Sequence, residues 1–420
     1  MSPHLLFPDH DHYRFEAMRV LGHAAYGGAD LGEVLATVAG VTAGNPSSWH
    51  EQWTAMGDHI SLVAQRSRDG GHLLSARDSH LRAASYYRIA DFFLHGNAAD
   101  PRIGQSHHRS AASFAAHAEL APHGITPVRI PFEGVELAGW FSRAHTGTGP
   151  RPLLLLHNGF DGPAQEMHFF GGLAAAERGF HTLSFDGPGQ PTALVEHGLP
   201  FRPNWETVVS PVLDHILSEY RELVDPDRIA LLGLSLGGML APRAAAFDPR
   251  VAALICVDGI YDASTALSTP LGTDRAGLLR LAADPAGAEP QLAAAAANNP
   301  ILAWIFEHGQ YAFGVPSRVE FLREYLRYHL LNGVAERIRC PTLICEAADD
   351  LFFADAGSHP PEPRRLMQHL TCQATLCTFT ADEGAAAHSH GGAERLAMTR
   401  ILDWLEDTLA TVPARPAASA

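Results

Sequence analysis

The residues with the clearest chemical potential are Gly233-Leu234-Ser235-Leu236-Gly237. This G-x-S-x-G pattern follows the apolar run Ile229–Leu232 and opens a helical segment carrying Met239, Leu240 and Ala244. Strand, turn and helix in that order put a serine hydroxyl at the tip of a sharp turn. Glycine is needed on both sides, because a side chain at either flank collides with the neighbouring strand or helix. A serine hydroxyl at its normal pKa is a poor nucleophile, so it needs a base and a group that orients the base. Both occur downstream, the acid first and then the histidine. The run Pro341–Ala348 reads as a strand ending in two carboxylates, Asp349 and Asp350, of which Asp350 is preferred as the acid while the other caps the turn. Past the next strand, Gly384-Ala-Ala-Ala-His388-Ser-His390 offers two histidines among small residues that let the loop approach the nucleophile. His388 is preferred as the base and His390 is the alternative. Two backbone N–H groups must receive a developing oxyanion. One comes from Leu236, and the other is expected from Phe160 in His157-Asn-Gly159-Phe160-Asp161-Gly162, a segment that also reads as an ordinary tight turn.

These side chains need strand ends to hold them. Short apolar runs at 126–130, 137–141, 153–157, 181–185, 229–232, 253–257, 342–345 and 374–379 alternate with helical segments, which implies eight strands in a mostly parallel sheet with crossover helices. Asp186-Gly-Pro-Gly189 after the fourth run reads as a structural turn at the pocket's border. Before residue 123 the pattern is helical. A helix start lies at Asn45-Pro46-Ser47-Ser48, with Ser48 as the cap and Glu51 three residues later, and further helices are expected from about Ser75 to Phe93 and Ser106 to Leu120. The domains are therefore read as 1–123, a helical cap, and 124–420, a catalytic domain with a helical lid insertion at about 264–331. Most aromatic residues of the cap belong to its own core. Tyr86, Tyr87 and Arg88, with Asp161 of the turn after the third run, are the candidates to line a substrate pocket.

Composition sets limits on this reading. With 420 residues, 46% hydrophobic and 18% charged, the chain has the make-up of a globular protein of two structural units. A net charge of −16 without clustered Lys and Arg argues against a nucleic-acid partner. No run approaches the roughly 20 apolar residues that cross a bilayer, and the first 18 residues lack the regions of an export signal, so a cytoplasmic protein with no membrane partner is expected. The five cysteines, Cys256, Cys340, Cys345, Cys372 and Cys377, read as buried thiols and not as a metal set. No cofactor and no metal are expected. The tail from about Thr411, rich in Ala and Pro, has nothing to pack against.

In this order, residues of about 124–410 resemble the α/β-hydrolase superfamily, in which the acid usually lies at the tenth position from a proline such as Pro341. With the helical N-terminal part, the chain looks like the branch that holds FrsA-like proteins, polyketide-shortening hydrolases of fungal yellowish-green pigment formation and 2,6-dihydroxypseudooxynicotine hydrolase. The resemblance is carried by Ser48-Trp49 with Trp53, by Ser75-Ala-Arg77 with Tyr86-Tyr-Arg88, by Asp186-Gly-Pro-Gly189, by Cys340-Pro-Thr-Leu343 with Asp350-Leu-Phe-Phe353, and by Glu383-Gly-Ala-Ala-Ala-His388. It implies a serine hydrolase that cleaves a carbon–carbon bond next to a ketone, or an ester, in a small aromatic or polyketide-like molecule. A peptidase of the prolyl-oligopeptidase type is disfavoured because the N-terminal part is helical and shows no propeller repeat. A non-catalytic binding or regulatory protein is disfavoured by the complete set of triad residues. If the helical domain does not cover the site, it is instead expected to be an interaction surface, as in a homodimer.

Overall fold

The computed structural model describes residues 6–353 and 360–411, so the tail beyond Thr411 lies outside the described residues. All eight expected apolar runs lie within strands: β1 (Ile125–Phe132), β2 (Val135–Ser142), β3 (Arg151–His157), β4 (His181–Phe185), β5 (Val224–Leu234), β6 (Ala253–Val257), β7 (Thr342–Ala347) and β8 (Ala374–Phe379). They form one sheet in the order β1-β2-β4-β3-β5-β6-β7-β8. Strand β2 runs antiparallel to β4, whereas β4, β3, β5, β6, β7 and β8 pair in parallel. This is the α/β-hydrolase architecture that the strand pattern implies. Strands β4, β6 and β7 are buried at every position, as expected where helices cover both faces, while β2 buries only alternate residues. The parallel order brings the carboxyl ends of β3, β5, β6, β7 and β8 to one edge, where the turns that carry chemistry sit.

The chain divides into two compact units, one comprising Met1–Thr126, Ala276–Arg323 and Gly391–Glu394, the other Pro127–Arg275, Glu324–His390 and Arg395–Ala420. The first is helical. Its helix Pro46–Asp69 does not start from Ser48. Asn45 is the cap, accepting the Ser48 N–H at 3.1 Å, with Pro46 at the first helical position, where its missing N–H costs nothing. The Ser48 hydroxyl instead accepts the N–H of Thr42 at 2.9 Å. The helices expected near Ser75 and Ser106 run over Leu73–Ala90 and Pro101–Glu119. Trp49 and Trp53 are fully buried, and the Trp49 indole N–H donates to Ile89 O at 2.8 Å. Within the same unit, Trp304 of helix Pro300–Phe313 stacks on Phe92 at 4.8 Å and donates to its carbonyl at 3.0 Å. That contact ties residues 276–323 to the N-terminal helices. Among the described residues no helix is long and apolar enough to cross a membrane. Cys256 and Cys345 are buried free thiols, whereas Cys340, Cys372 and Cys377 are only half-buried.

Within the sheet unit, the turn leaving β6 is clamped by Glu362 of helix Glu362–His369, which is almost fully buried. One carboxylate oxygen accepts the N–H groups of Tyr261 (3.0 Å) and Asp262 (2.7 Å), and the other accepts the Thr265 hydroxyl at 2.6 Å and the Arg365 guanidinium. Removing this side chain takes the acceptor from two buried amides and the carboxylate from Arg365. Glu362→Ala is therefore expected to cost about 3–5 kcal/mol, read as a fall in the urea unfolding midpoint. A loss under about 1 kcal/mol would show that the clamp does not hold the turn.

Candidate active site

Strand β5 ends at Leu234 and helix Gly237–Ala245 begins three residues later, leaving Ser235 at the apex. Its φ is 59°, a left-handed backbone that costs a non-glycine residue about 1–3 kcal/mol and persists only where the surroundings enforce it. Enforcement comes from the Ser235 N–H donating to Val257 O at 3.0 Å and the Gly238 N–H donating to Ser235 O at 2.6 Å. A Cβ at Gly233 would stand 2.0 Å from Gly237 O, so the turn closes only with glycine there.

His388 lies between β8 and the last helix, Glu394–Ala410. Its Nε2 is 2.7 Å from Ser235 Oγ and its Nδ1 is 2.8 Å from Asp350 Oδ2. The nitrogen facing a carboxylate carries the proton, so Nδ1–H donates to Asp350 and Nε2 accepts the serine hydroxyl. The second Asp350 oxygen accepts the N–H groups of Phe352 at 2.7 Å and Phe353 at 2.9 Å. Burial alone would raise the Asp350 pKa. The charge and hydrogen bond of His388, with those two amides, outweigh burial and hold the carboxyl below the ordinary range. The edge of the Phe352 ring meets His388 at 4.8 Å. The two alternatives stand elsewhere. Asp349 is exposed, and His390 is fully buried with its Nδ1 on Ala385 O at 3.1 Å and its ring 3.9 Å from Phe379. Burial pushes the His390 pKa down to about 4, so it is a neutral pin for the loop.

The turn after β3 lies against the serine turn. A Cβ at Gly159 would be 2.6 Å from both Leu234 O and Leu236 N, so the segment carrying Phe160 approaches the Leu236 amide at the start of the helix. Polar side chains hold this turn. Gln190 Nε2 donates to Asn158 O at 2.6 Å, Asn158 Nδ2 to Glu166 Oε2 at 2.9 Å, and the Gly159 N–H to Asn158 Oδ1 at 2.7 Å. His157, fully buried and pushed down to about 4 by burial, is neutral and donates through Nδ1 to Asn158 O at 2.9 Å. The Phe160 ring lies 6.1 Å from both Phe201 and Tyr325, and Asp161 beside it is half-buried. Asp186, raised to about 7 by burial, accepts the Thr192 N–H at 3.0 Å and so fixes the helix that follows β4.

The other pocket candidates lie in the helical unit. Tyr86 donates to Glu33 at 2.6 Å, Tyr87 to Asp58 at 2.7 Å, and Arg88 lies 3.9 Å from Glu16 and over the Phe92 ring at 5.7 Å. Their polar ends are thus engaged inside that unit's core.

The sequence reading passed over Asp258. It sits directly after β6 at φ 60°, fully buried, with Oδ2 3.0 Å from His388 Nδ1. Its signal was available. An aspartate closing an entirely apolar strand, Val257-Asp258-Gly259, stands at the same sheet edge as Asp350 after β7. Asp258, Asp350 and His388 have donor atoms within 4.8 Å of one another, the spacing of a metal-ligand set. Here His388 Nδ1 faces both carboxylates and the other Asp350 oxygen accepts two amides, which makes the group a hydrogen-bond cluster.

Comparison with known proteins gives consistent matches. The family model for FrsA-like esterases matches residues 18–268. The chain is 33% identical to the hydrolase LUC6 of Fusarium sp, covering 96% of this chain and 98% of that one. It is 32% identical to the 20-hydroxy-prefusarin hydrolase FUS2 of Gibberella moniliformis, covering 95% and 97%. Among solved structures, a 2,6-dihydroxy-pseudo-oxynicotine hydrolase superposes with a TM-score of 0.72 at 20% identity, covering 94% and 98%.

The contact of Gly159 with the serine turn can be tested directly. Gly159→Ala should lower kcat/KM by on the order of 10²-fold, the effect of displacing one oxyanion donor, while the melting temperature moves by only a few degrees. Unchanged turnover would mean that the turn after β3 takes no part in the chemistry.

Proposed function

This chain belongs to the FrsA-like esterase family of the α/β-hydrolases, and on that premise we propose that it is a serine hydrolase with Ser235, His388 and Asp350 as its triad. One observation carries the proposal. A single imidazole bridges a strained serine and a buried carboxylate at 2.7 and 2.8 Å, the relation that makes a hydroxyl nucleophilic.

Ser235 Oγ forms a bond to the substrate carbonyl carbon as its proton passes to His388 Nε2. Asp350 stabilises the imidazolium through Nδ1–H. The carbonyl oxygen becomes an oxyanion, received by the backbone N–H groups of Leu236 and Phe160, a reading supported by the close approach of Gly159 to the Leu236 amide. Collapse then breaks the bond to the leaving group, which takes the proton from Nε2. Water, deprotonated in turn by His388, releases the acyl group from Ser235 as a carboxylic acid. For an ester the leaving group is an alcohol. For a carbon–carbon bond it departs as an enolate, which requires a ketone or an electron-poor ring next to the broken bond.

The substrate class we favour is a small aromatic or polyketide-like ketone or ester. The names of the 20-hydroxy-prefusarin and 2,6-dihydroxy-pseudo-oxynicotine hydrolases support it, as does the ring of Phe160 with Phe201 and Tyr325 near the oxyanion donors. A hydrolysis screen of β-diketones and acyl-phenols against simple esters tests that class.

The triad has its own test. Ser235→Ala is expected to abolish both turnover and fluorophosphonate labelling, and labelling retained at another serine would overturn the assignment. His388→Ala should lose about 10³-fold or more in kcat, and His390→Ala far less.

A further inference from the structure

Two carboxylates, not one, face the Nδ1 proton of His388. Asp350 Oδ2 stands at 2.8 Å and Asp258 Oδ2 at 3.0 Å, from the ends of adjacent strands β7 and β6. The two differ in support. Asp350 has two backbone amides on its other oxygen. On Asp258 the contacts converge on Oδ2, which accepts the N–H of Ser389 and its hydroxyl at 2.8 Å, while Oδ1 is buried without a hydrogen-bond partner among the described residues. Asp258 has a left-handed backbone, which a non-glycine residue keeps only where its surroundings enforce it. Ser389, on the other side of that contact, also has a left-handed backbone at φ 54°. Two strained residues from separate loops therefore meet at the imidazole.

We propose that Asp258 is a second positioning carboxylate for His388, sharing the Nδ1 proton with Asp350 and able to replace it. The proposal rests on the triad reading above and extends it. As His388 takes the Ser235 proton and becomes positive, two buried carboxylates stabilise the charge, and loss of either leaves the other in hydrogen-bond reach. Burial, reinforced by the Asp350 charge, pushes Asp258 up to about 7 against the pull of His388 and Ser389. The titratable groups that act on this cluster are His388, Asp350, Cys345 of β7, whose thiol burial keeps protonated, and His390, which burial keeps neutral. The cluster thus gains its second negative charge near neutral pH, and its ionisations belong to the group as a whole.

The test uses the full-length enzyme, with fluorophosphonate labelling of Ser235 in each variant to separate the two readings. If the wild type is not labelled, the triad reading fails; if it is labelled, the variants judge Asp258. Asp350→Asn should lose only about 10-fold in kcat and Asp258→Asn about 3-fold, both with KM unchanged, while the double variant falls about 10³-fold, far beyond the product of the two. A carboxylate beside the imidazole favours its protonated, inactive form, so Asp258→Asn should also move the acid limb of kcat/KM to lower pH. A merely structural role would not move that limb. The proposal is overturned if the double variant is no worse than Asp350→Asn, if Asp258→Asn alone matches the double variant, or if the limb stays in place. Should the double variant not fold, the pH profile of the nearly isosteric Asp258→Asn decides alone.

Discussion

The structure turns on one constraint, that Ser235 must sit in a backbone conformation it would not choose. Everything beside it enforces that choice. Strand β6 supplies an acceptor for its N–H, the absence of a side chain at Gly233 lets the helix start fold back, and the turn after β3 presses against it through Gly159. The strain extends beyond the serine. Asp258, Ser389 and His390 share its left-handed backbone, so strained residues stand in three of the loops that the parallel sheet holds at this edge. A sheet buried on both faces gives that rigidity, because no strand can shift without exposing apolar surface.

Buried ionisable groups around the site follow one electrostatic rule. Burial favours the neutral form of each, and the charges and hydrogen bonds that face a group decide how far that preference is opposed. His157 and His390 lose their charge to burial and hold loops through single hydrogen bonds to carbonyls. Asp350 keeps its charge because His388 and two amides face it. His388 has a carboxylate at one nitrogen and a hydroxyl at the other.

Strand positions were legible because burial on both faces writes an uninterrupted apolar run, and the serine turn was legible because its steric demands select glycine. Helix starts were less so. At Asn45 the capping side chain and the proline after it outcompete the Ser48–Glu51 pair, and both patterns read alike until the backbone path is known. The choice between Asp349 and Asp350, or His388 and His390, depends on which side of a turn faces the sheet edge, a matter of a single residue in a loop without periodicity. Asp258 was missed for a different reason. Chain order points to an acid after β7, and the aspartate that closes the apolar run of β6 draws attention only once the end of that strand is known to lie beside the histidine.

The hydrogen bond from Ser235 to His388 spans 153 residues of chain. Between β6 and β7 the chain leaves the sheet unit at Arg275 and returns at Glu324, and the excursion folds with the N-terminal helices. In terms of chain entropy, closing so long a loop is less costly than its length suggests. The penalty grows only as the logarithm of length, about 0.6 kcal/mol per doubling, and a folded excursion shortens the free segment further. The same topology makes contacts at the site among the most non-local in the molecule, and non-local contacts form late. Ser235 and His388 stand together because β5 and β8, which precede them, belong to the same sheet. A chain that ends before β8 would carry the serine turn without the imidazole that faces it.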